Sequence, residues 1–286
     1  MRVEEVRTVA VVGCGLMGSG IAEVCARAGM AVRYLEPTDE LVEAGRRRIE
    51  GSLERAVRRG KLAEQERAAV LGRISGTTEL ADLADADLAI EAATEDRGTK
   101  LEVFRRLDQV LRPEVVLASN TSSIPIVDLA AATARPDRVL GMHFFNPVPV
   151  MGLIELVRAI TTSEETMAFG RAFGARLGKT TVESGDRAGF IVNRLLLPFL
   201  NDAIRMLEEG FATREDIDAA VRLGLNHPMG PLELVDLIGL DTMLAIGEVL
   251  YEELKDPACA PPPLLRRMVA AGRLGRKSGR GFYEYG

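Results

Sequence analysis

Tryptophan is absent from this chain, histidine occurs twice and cysteine three times in 286 residues. So few cysteines exclude a disulfide framework. Cys14, Cys25 and Cys259 have no metal-type spacing and read as small buried hydrophobes. Neither histidine has a second histidine or a cysteine placed to share a metal, so no metal site is expected. Asparagine (five) and glutamine (two) are scarce while arginine is plentiful. A thermophilic source is one hypothesis for this pattern, and a GC-rich genome would explain the arginine equally well. An excess of positive charge is also missing: 36 Lys and Arg face 42 Asp and Glu, net −6. That argues against a nucleic-acid binder, which carries a basic face. Every apolar run is interrupted by Asn, Arg, Asp or Glu before it could cross a bilayer. The opening "MRVEEVRTVAVVGCG" has acids where a secretory signal has a basic flank. The expectation is a cytoplasmic, soluble protein with no nucleic-acid or membrane partner.

What is present, 47% hydrophobic and 27% charged residues, suits one large globular domain or two ordinary ones. Apolar runs at Thr8 to Val12, "AVRYLE", "ADLAIEAA", "EVVLASN", "RVLGMHFF", "LIELVRA" and "KTTVES" alternate with helical spacings. The pattern predicts an α/β fold with a mostly parallel sheet covered on both faces. The charged stretch from Thr38 to Ser75 reads as two helices with a break near Gly60, a pair long enough to project from the sheet. From about Gly185 the periodicity is helical throughout, with no clear strand. The expected division is 1–184 and an all-helical 185–286.

Gly13-Cys14-Gly15-Leu16-Met17-Gly18 is a G-x-G-x-x-G run that follows a strand and opens a helix. In that context Gly13 permits the tight turn, Gly15 lets the backbone approach a pyrophosphate, and Gly18 lets helix pack on strand. The helix N-terminus supplies N–H groups and positive dipole to the phosphates. Glu36 ends the second strand, where an acid binds the ribose hydroxyls and repels a 2′-phosphate. A Rossmann-type domain that prefers NAD to NADP is therefore expected. In such sheets ligands lie beyond the carboxyl ends of the strands. Ser119, Asn120, Thr121, Ser122 and Ser123 follow one strand, and His143 and Asn146 close another. After the turn "FNPVPV", Glu155 returns on an adjacent strand. A carboxylate beside an imidazole fixes its tautomer and stabilises its protonated form, which suits proton removal from an alcohol. A lone histidine is usually a hydrogen-bonded core residue. His227, in "LNHPMGP", is given that kind of reading, as a turn or helix-start residue.

Taken together, "VGCGLMGSGIA", "EAATED", "ASNTSSIPI", "MHFFNPVPVMGLIELV", "GFIVNR", "NHPMGPLELVDLIGLD" and "GRKSGRGFYEYG" resemble the 3-hydroxyacyl-CoA dehydrogenase family over essentially the whole chain. The resemblance is to its short bacterial members acting on 3-hydroxybutyryl-CoA. It implies NAD-dependent, reversible oxidation of (S)-3-hydroxyacyl-CoA, with His143 as general acid/base and Glu155 as its partner. It further implies that Ser122 bonds the substrate's 3-oxygen and that Asn193 orders substrate and imidazole across an interdomain cleft. Glu95, Lys100, Ser122, Asn146 and Lys277 match cofactor contacts, and Ser52 and Arg59 fall where the family meets CoA. A homodimer through the helical domain is implied too. Ala188, Gly152 and Glu36 depart from the common Pro, Lys and Asp. Two other readings remain beside this one. A dehydrogenase of 3-hydroxyadipyl-CoA type would differ in its acyl group, and a non-catalytic NAD-binding relative would show a damaged constellation. A β-hydroxyacid or sugar-acid dehydrogenase would need a lysine where Asn193 and Arg194 stand.

Overall fold

The structure, a computed structural model, describes residues 2–286 and divides into two compact units, one up to Arg187 and one from Ala188 to Gly286. The division falls just beyond the expected boundary at residue 184. The first unit runs β1 (Thr8–Val12), α1 (Leu16–Arg27), β2 (Ala31–Leu35), α2 (Asp39–Arg58), α3 (Glu64–Leu71), β3 (Ile74–Thr77), β4 (Leu88–Glu91), α4 (Arg97–Val110), β5 (Val116–Ser119), α5 (Ile126–Ala131), β6 (Val139–Phe144), β7 (Leu153–Arg158), α6 (Glu164–Arg176) and β8 (Thr180–Gly185). The second runs α7 (Val192–Glu208), α8 (Arg214–Gly224), α9 (Pro231–Ile238), α10 (Leu240–Leu254) and α11 (Pro263–Ala270).

One eight-stranded sheet has the order β3-β2-β1-β4-β5-β6-β7-β8. All neighbours are parallel except β6 and β7. β1, β4 and β5 are buried along nearly their whole length because both faces of the sheet are covered. β3 lies within and just past the stretch expected to be helical, and is a correction to it. "ISGT" is short and half exposed, with no strand-like alternation. It pairs with β2 because Gly76 leaves room for the Tyr34 ring, whose carbon a Cβ there would meet at 2.6 Å. The helical pair α2 and α3 is rooted on α1 and β3 through buried Ile49, Leu53 and Val70. Thr38 caps α2 by accepting the Leu41 N–H. Pro125 cannot cap α5 with its side chain, and Asp186 does so from a distance, accepting the Ile126 and Val127 N–H groups, both at 2.8 Å. No described helix is long and apolar enough to cross a membrane.

The helical unit has its own core, built on Leu197, Leu200, Ile204, Leu232, Val235 and Leu250. The helical stretch after Gly230 forms two helices, α9 and α10, split where Gly239 adopts φ +102°. Two buried acids organise the unit. Asp218 accepts the Leu232 and Glu233 N–H groups, so an acid on α8 caps α9, whose own N-cap is Gly230. Asp236 accepts the N–H groups of Phe282 and Tyr283, both at 2.9 Å, and the Tyr285 hydroxyl at 3.0 Å. The C-terminal "GFYEY" is thus pinned to α9. Asp236→Ala orphans these donors, at a cost of about 3 kcal/mol. A melting temperature lower by roughly 6–12 °C is the expected result. An unchanged melt would show that the tail is held by other contacts.

Candidate active site

The Gly-rich turn connects β1 to α1 and packs on the end of β4. Gly13 has φ +87°, and a Cβ on it would stand 2.7 Å from the Ala92 carbonyl oxygen. A Cβ on Gly18 would run into the carbonyl of Gly13. Gly15 differs: nothing lies within 4 Å of the position its Cβ would take. Packing therefore does not demand glycine at residue 15. Open space over the backbone at a helix N-terminus is what an approaching pyrophosphate needs. The turn thus fits a dinucleotide. Leu16, two-thirds exposed, and Met17 begin the helix beside it. Glu36 follows β2, is nearly buried, and accepts the Cys14 N–H. Expected on ribose hydroxyls, the carboxylate also ties the turn to β2. Burial, and then the Glu36 charge, push the Cys14 thiol up to about 12, so it stays neutral packing.

The antiparallel register of β6 and β7 sets His143 directly opposite Glu155. Opposed residues share a face of the sheet, and here the side chains meet. His143 Nδ1 lies 2.7 Å from Glu155 Oε2, with both residues buried. A carboxylate on Nδ1 assigns the proton to that nitrogen and leaves the Nε2 lone pair to act as a base. Phe145 walls the imidazole edge-on, its ring centroid 4.6 Å away. Asn120 ties the ends of β5 and β6 together, its Oδ1 accepting the Phe144 N–H at 2.9 Å. Asn146 is exposed just past β6.

The turn after β5 is gathered by one carboxylate. Glu95 Oε1 accepts the Ser122 N–H at 2.9 Å, the Ser123 hydroxyl at 3.1 Å and the Thr121 hydroxyl at 2.5 Å. Burial pushes Glu95 up, but the Lys100 ammonium, the Thr121 hydroxyl and the Ser122 N–H outweigh it and hold the carboxyl below its usual range. Lys100 was expected beside the cofactor. The structure turns its ammonium inward, 2.6 Å from Glu91 and 3.3 Å from Glu95, with the side chain 1% exposed. Glu91 is the residue the sequence reading missed. Its only local signal is an acid closing an apolar strand, nine positions before a lysine.

Ser52 is half-buried on α2, and Arg59, two turns on, is exposed at its C-terminal end. Asn193 and Lys277 belong to the second unit. Asn193 is half-buried in the first turn of α7. Lys277 Nζ pairs with Asp241 at 2.5 Å. His227 is exposed, its ring 5.7 Å from that of Phe199.

Residues 8–187 match the 3-hydroxyacyl-CoA dehydrogenase NAD binding domain, and residues 189–285 match the C-terminal domain of the same family. A 3-hydroxybutyryl-CoA dehydrogenase of Mycobacterium tuberculosis is 57% identical over 99% of both chains. The human mitochondrial hydroxyacyl-coenzyme A dehydrogenase is 43% identical over 98% of this chain and 91% of its own. The crystal structure of an (S)-3-hydroxybutyryl-CoA dehydrogenase from Ralstonia eutropha superposes with a TM-score of 0.93 at 49% identity, covering 99% of this chain and 100% of that one. By both halves of its length, the chain belongs to the 3-hydroxyacyl-CoA dehydrogenase family.

Proposed function

We propose that this chain catalyses the reversible oxidation of (S)-3-hydroxyacyl-CoA to 3-oxoacyl-CoA with NAD, and that short acyl groups, 3-hydroxybutyryl-CoA foremost, are its substrates. The observation that carries the reading is the buried His143–Glu155 pair at 2.7 Å, at the carboxyl end of the sheet. The Gly-rich turn and Glu36 would hold NAD, which would supply the hydride acceptor for C3 of the substrate. His143 Nε2 removes the 3-hydroxyl proton, and Glu155 stabilises the imidazolium that results. In the reverse direction the same imidazolium returns the proton to the 3-oxygen. Ser122, its N–H fixed by Glu95, turns its hydroxyl from the 3.4 Å contact with that carboxylate to donate to the oxygen as it gains or loses charge. To Asn193 the family resemblance gives the ordering of substrate and imidazole. Ser52 and Arg59 hold the CoA, Arg59 through its phosphates. Glu36 selects NAD by repelling a 2′-phosphate, and Glu95, Asn146 and Lys277 contribute to the cofactor site.

Loss of NADH absorbance with acetoacetyl-CoA tests the reading. Rates should be lower with NADPH and with longer or carboxylated 3-oxoacyl-CoAs. A faster rate with a carboxylated substrate would move the assignment to the 3-hydroxyadipyl-CoA type. NADH binding without turnover of any 3-oxoacyl-CoA would overturn it.

We further infer a cytoplasmic homodimer formed through the helical unit. The apolar side chains of Phe211, Leu223 and Leu225 in that unit are 74%, 85% and 60% exposed. Exposed apolar side chains that combine into one patch suit an association surface, and these three are the candidates for it. Sedimentation should give twice the chain mass, and Leu223→Glu should shift it toward the monomer. A wild-type monomer at micromolar concentration would remove the inference.

A further inference from the structure

The first unit buries a charge cluster for which the reaction scheme has no direct use. Glu91, at the end of β4, is 0% exposed and Lys100, on α4, 1% exposed. Glu91 Oε1 accepts from Lys100 Nζ at 2.6 Å and from the Ala93 N–H at 2.7 Å. Its Oε2 accepts the Ser119 hydroxyl at 2.6 Å, which joins β4 to β5. The same ammonium reaches Glu95 Oε2 at 3.3 Å. Glu95 in turn collects the donors of residues 121–123. A continuous path therefore runs from the buried carboxyl end of β4 to the turn carrying Ser122.

Stability is a poor explanation for this arrangement. Desolvating two opposite charges roughly cancels their attraction, and well-packed apolar residues of similar volume do as well or better. A buried pair does restrict geometry, because neither partner can move without stranding the other. Glu95 needs such restriction. It is partly exposed, with 39% of its side chain open, and four short hydroxyl and amide groups depend on it. Held only by a mobile turn, it would swing into water and release Ser122.

We propose that Glu91 is a positioning residue for the dehydrogenase reaction. Through Lys100 it fixes the Glu95 carboxylate, and through Glu95 it fixes the 121–123 turn that meets cofactor and substrate oxygen. The proposal rests on the functional reading given above.

The test is the double variant Glu91→Gln with Lys100→Met, which removes both buried charges and leaves neither stranded. It should melt within about 5 °C of the parent. NADH affinity, read by fluorescence titration, and kcat with acetoacetyl-CoA should each fall about tenfold to a hundredfold. KM for acetoacetyl-CoA should change less than about threefold, since Ser52 and Arg59 are untouched. Glu91→Gln alone should lose both melting temperature and activity. Recovery of parental NADH affinity and kcat in the double variant, along with its melting temperature, would overturn the proposal. So would failure of the double variant to fold, since the pair would then be supporting the sheet. The parent assayed alongside separates the two claims. A parent inactive on acetoacetyl-CoA sinks the substrate reading, while NADH affinity still reports on Glu95.

Discussion

His143→Gln should lower kcat by about a thousandfold, in the middle of the range for a general acid or base, with the fold intact. That factor corresponds to about 4 kcal/mol of transition-state stabilisation. Glutamine is the informative substitution because its amide can still donate to Glu155, so the buried carboxylate keeps a partner while the titratable base is gone. KM for acetoacetyl-CoA should move less than about threefold, because the imidazole contributes to the proton transfer more than to ground-state binding. Glu155→Gln should cost less, about tenfold to a hundredfold, because its carboxylate acts through the imidazole and touches no reacting atom. The sharper result is the pair together. If Glu155 works only through His143, adding Glu155→Gln to His143→Gln should cost less than about threefold more, a strongly non-additive cycle. Four kcat values from NADH consumption decide it. Full turnover by His143→Gln would remove His143 as the base. Additive losses would give Glu155 a role of its own.

The His143–Glu155 pair was legible because two apolar runs flank a proline-bearing turn. Such a hairpin brings residues on either side of the turn into register, and a carboxylate and an imidazole stood at compatible positions. The Gly-rich turn was legible for a related reason: its three glycines, the preceding valines and the acid after β2 all lie within one local unit. What escaped the reading depends on contacts between distant elements. β3 is a strand because the ring of Tyr34 occupies the space that Gly76 leaves, and nothing within "ISGT" announces that. Lys100 looks like any lysine in the first turns of a helix. Its burial follows from the Glu91 carboxylate at the end of β4, so the resemblance pointed to a cofactor contact and gave no sign of the internal pair. Asp218 and Asp236 read as ordinary helix acids. Asp236 meets Phe282 and Tyr283, 46 and 47 positions away, and no periodicity links such residues. The recognisable C-terminal motifs therefore have a physical basis that only the fold discloses.

Gly15 and Gly18 should fail differently when replaced by alanine. A Cβ at Gly18 meets the carbonyl oxygen of Gly13, and at 2.8 Å the carbonyl carbon, both backbone atoms that no rotamer change can move. The turn must shift, and it cannot shift freely, because Gly13 is backed by Ala92 and Ala93, whose backbone atoms would lie only 2.7–2.8 Å from a Cβ placed on it. Gly18→Ala should therefore lose about 1–3 kcal/mol of stability from overpacking, together with NADH affinity. At Gly15 the backbone is extended, with φ −69° outside the left-handed region, and the space around the Cβ position is open. Gly15→Ala should melt at the parental temperature, or slightly above it through reduced unfolded-state entropy. Its NADH affinity should nonetheless fall about a hundredfold, close to 2.7 kcal/mol, because the methyl group stands where the pyrophosphate must approach. Thermal melts of the free proteins beside NADH fluorescence titrations separate the two cases. Gly15→Ala binding NADH normally would mean that the dinucleotide does not cross the turn at that glycine. Gly18→Ala retaining both stability and affinity would mean that the turn relaxes where its backbone contacts say it cannot.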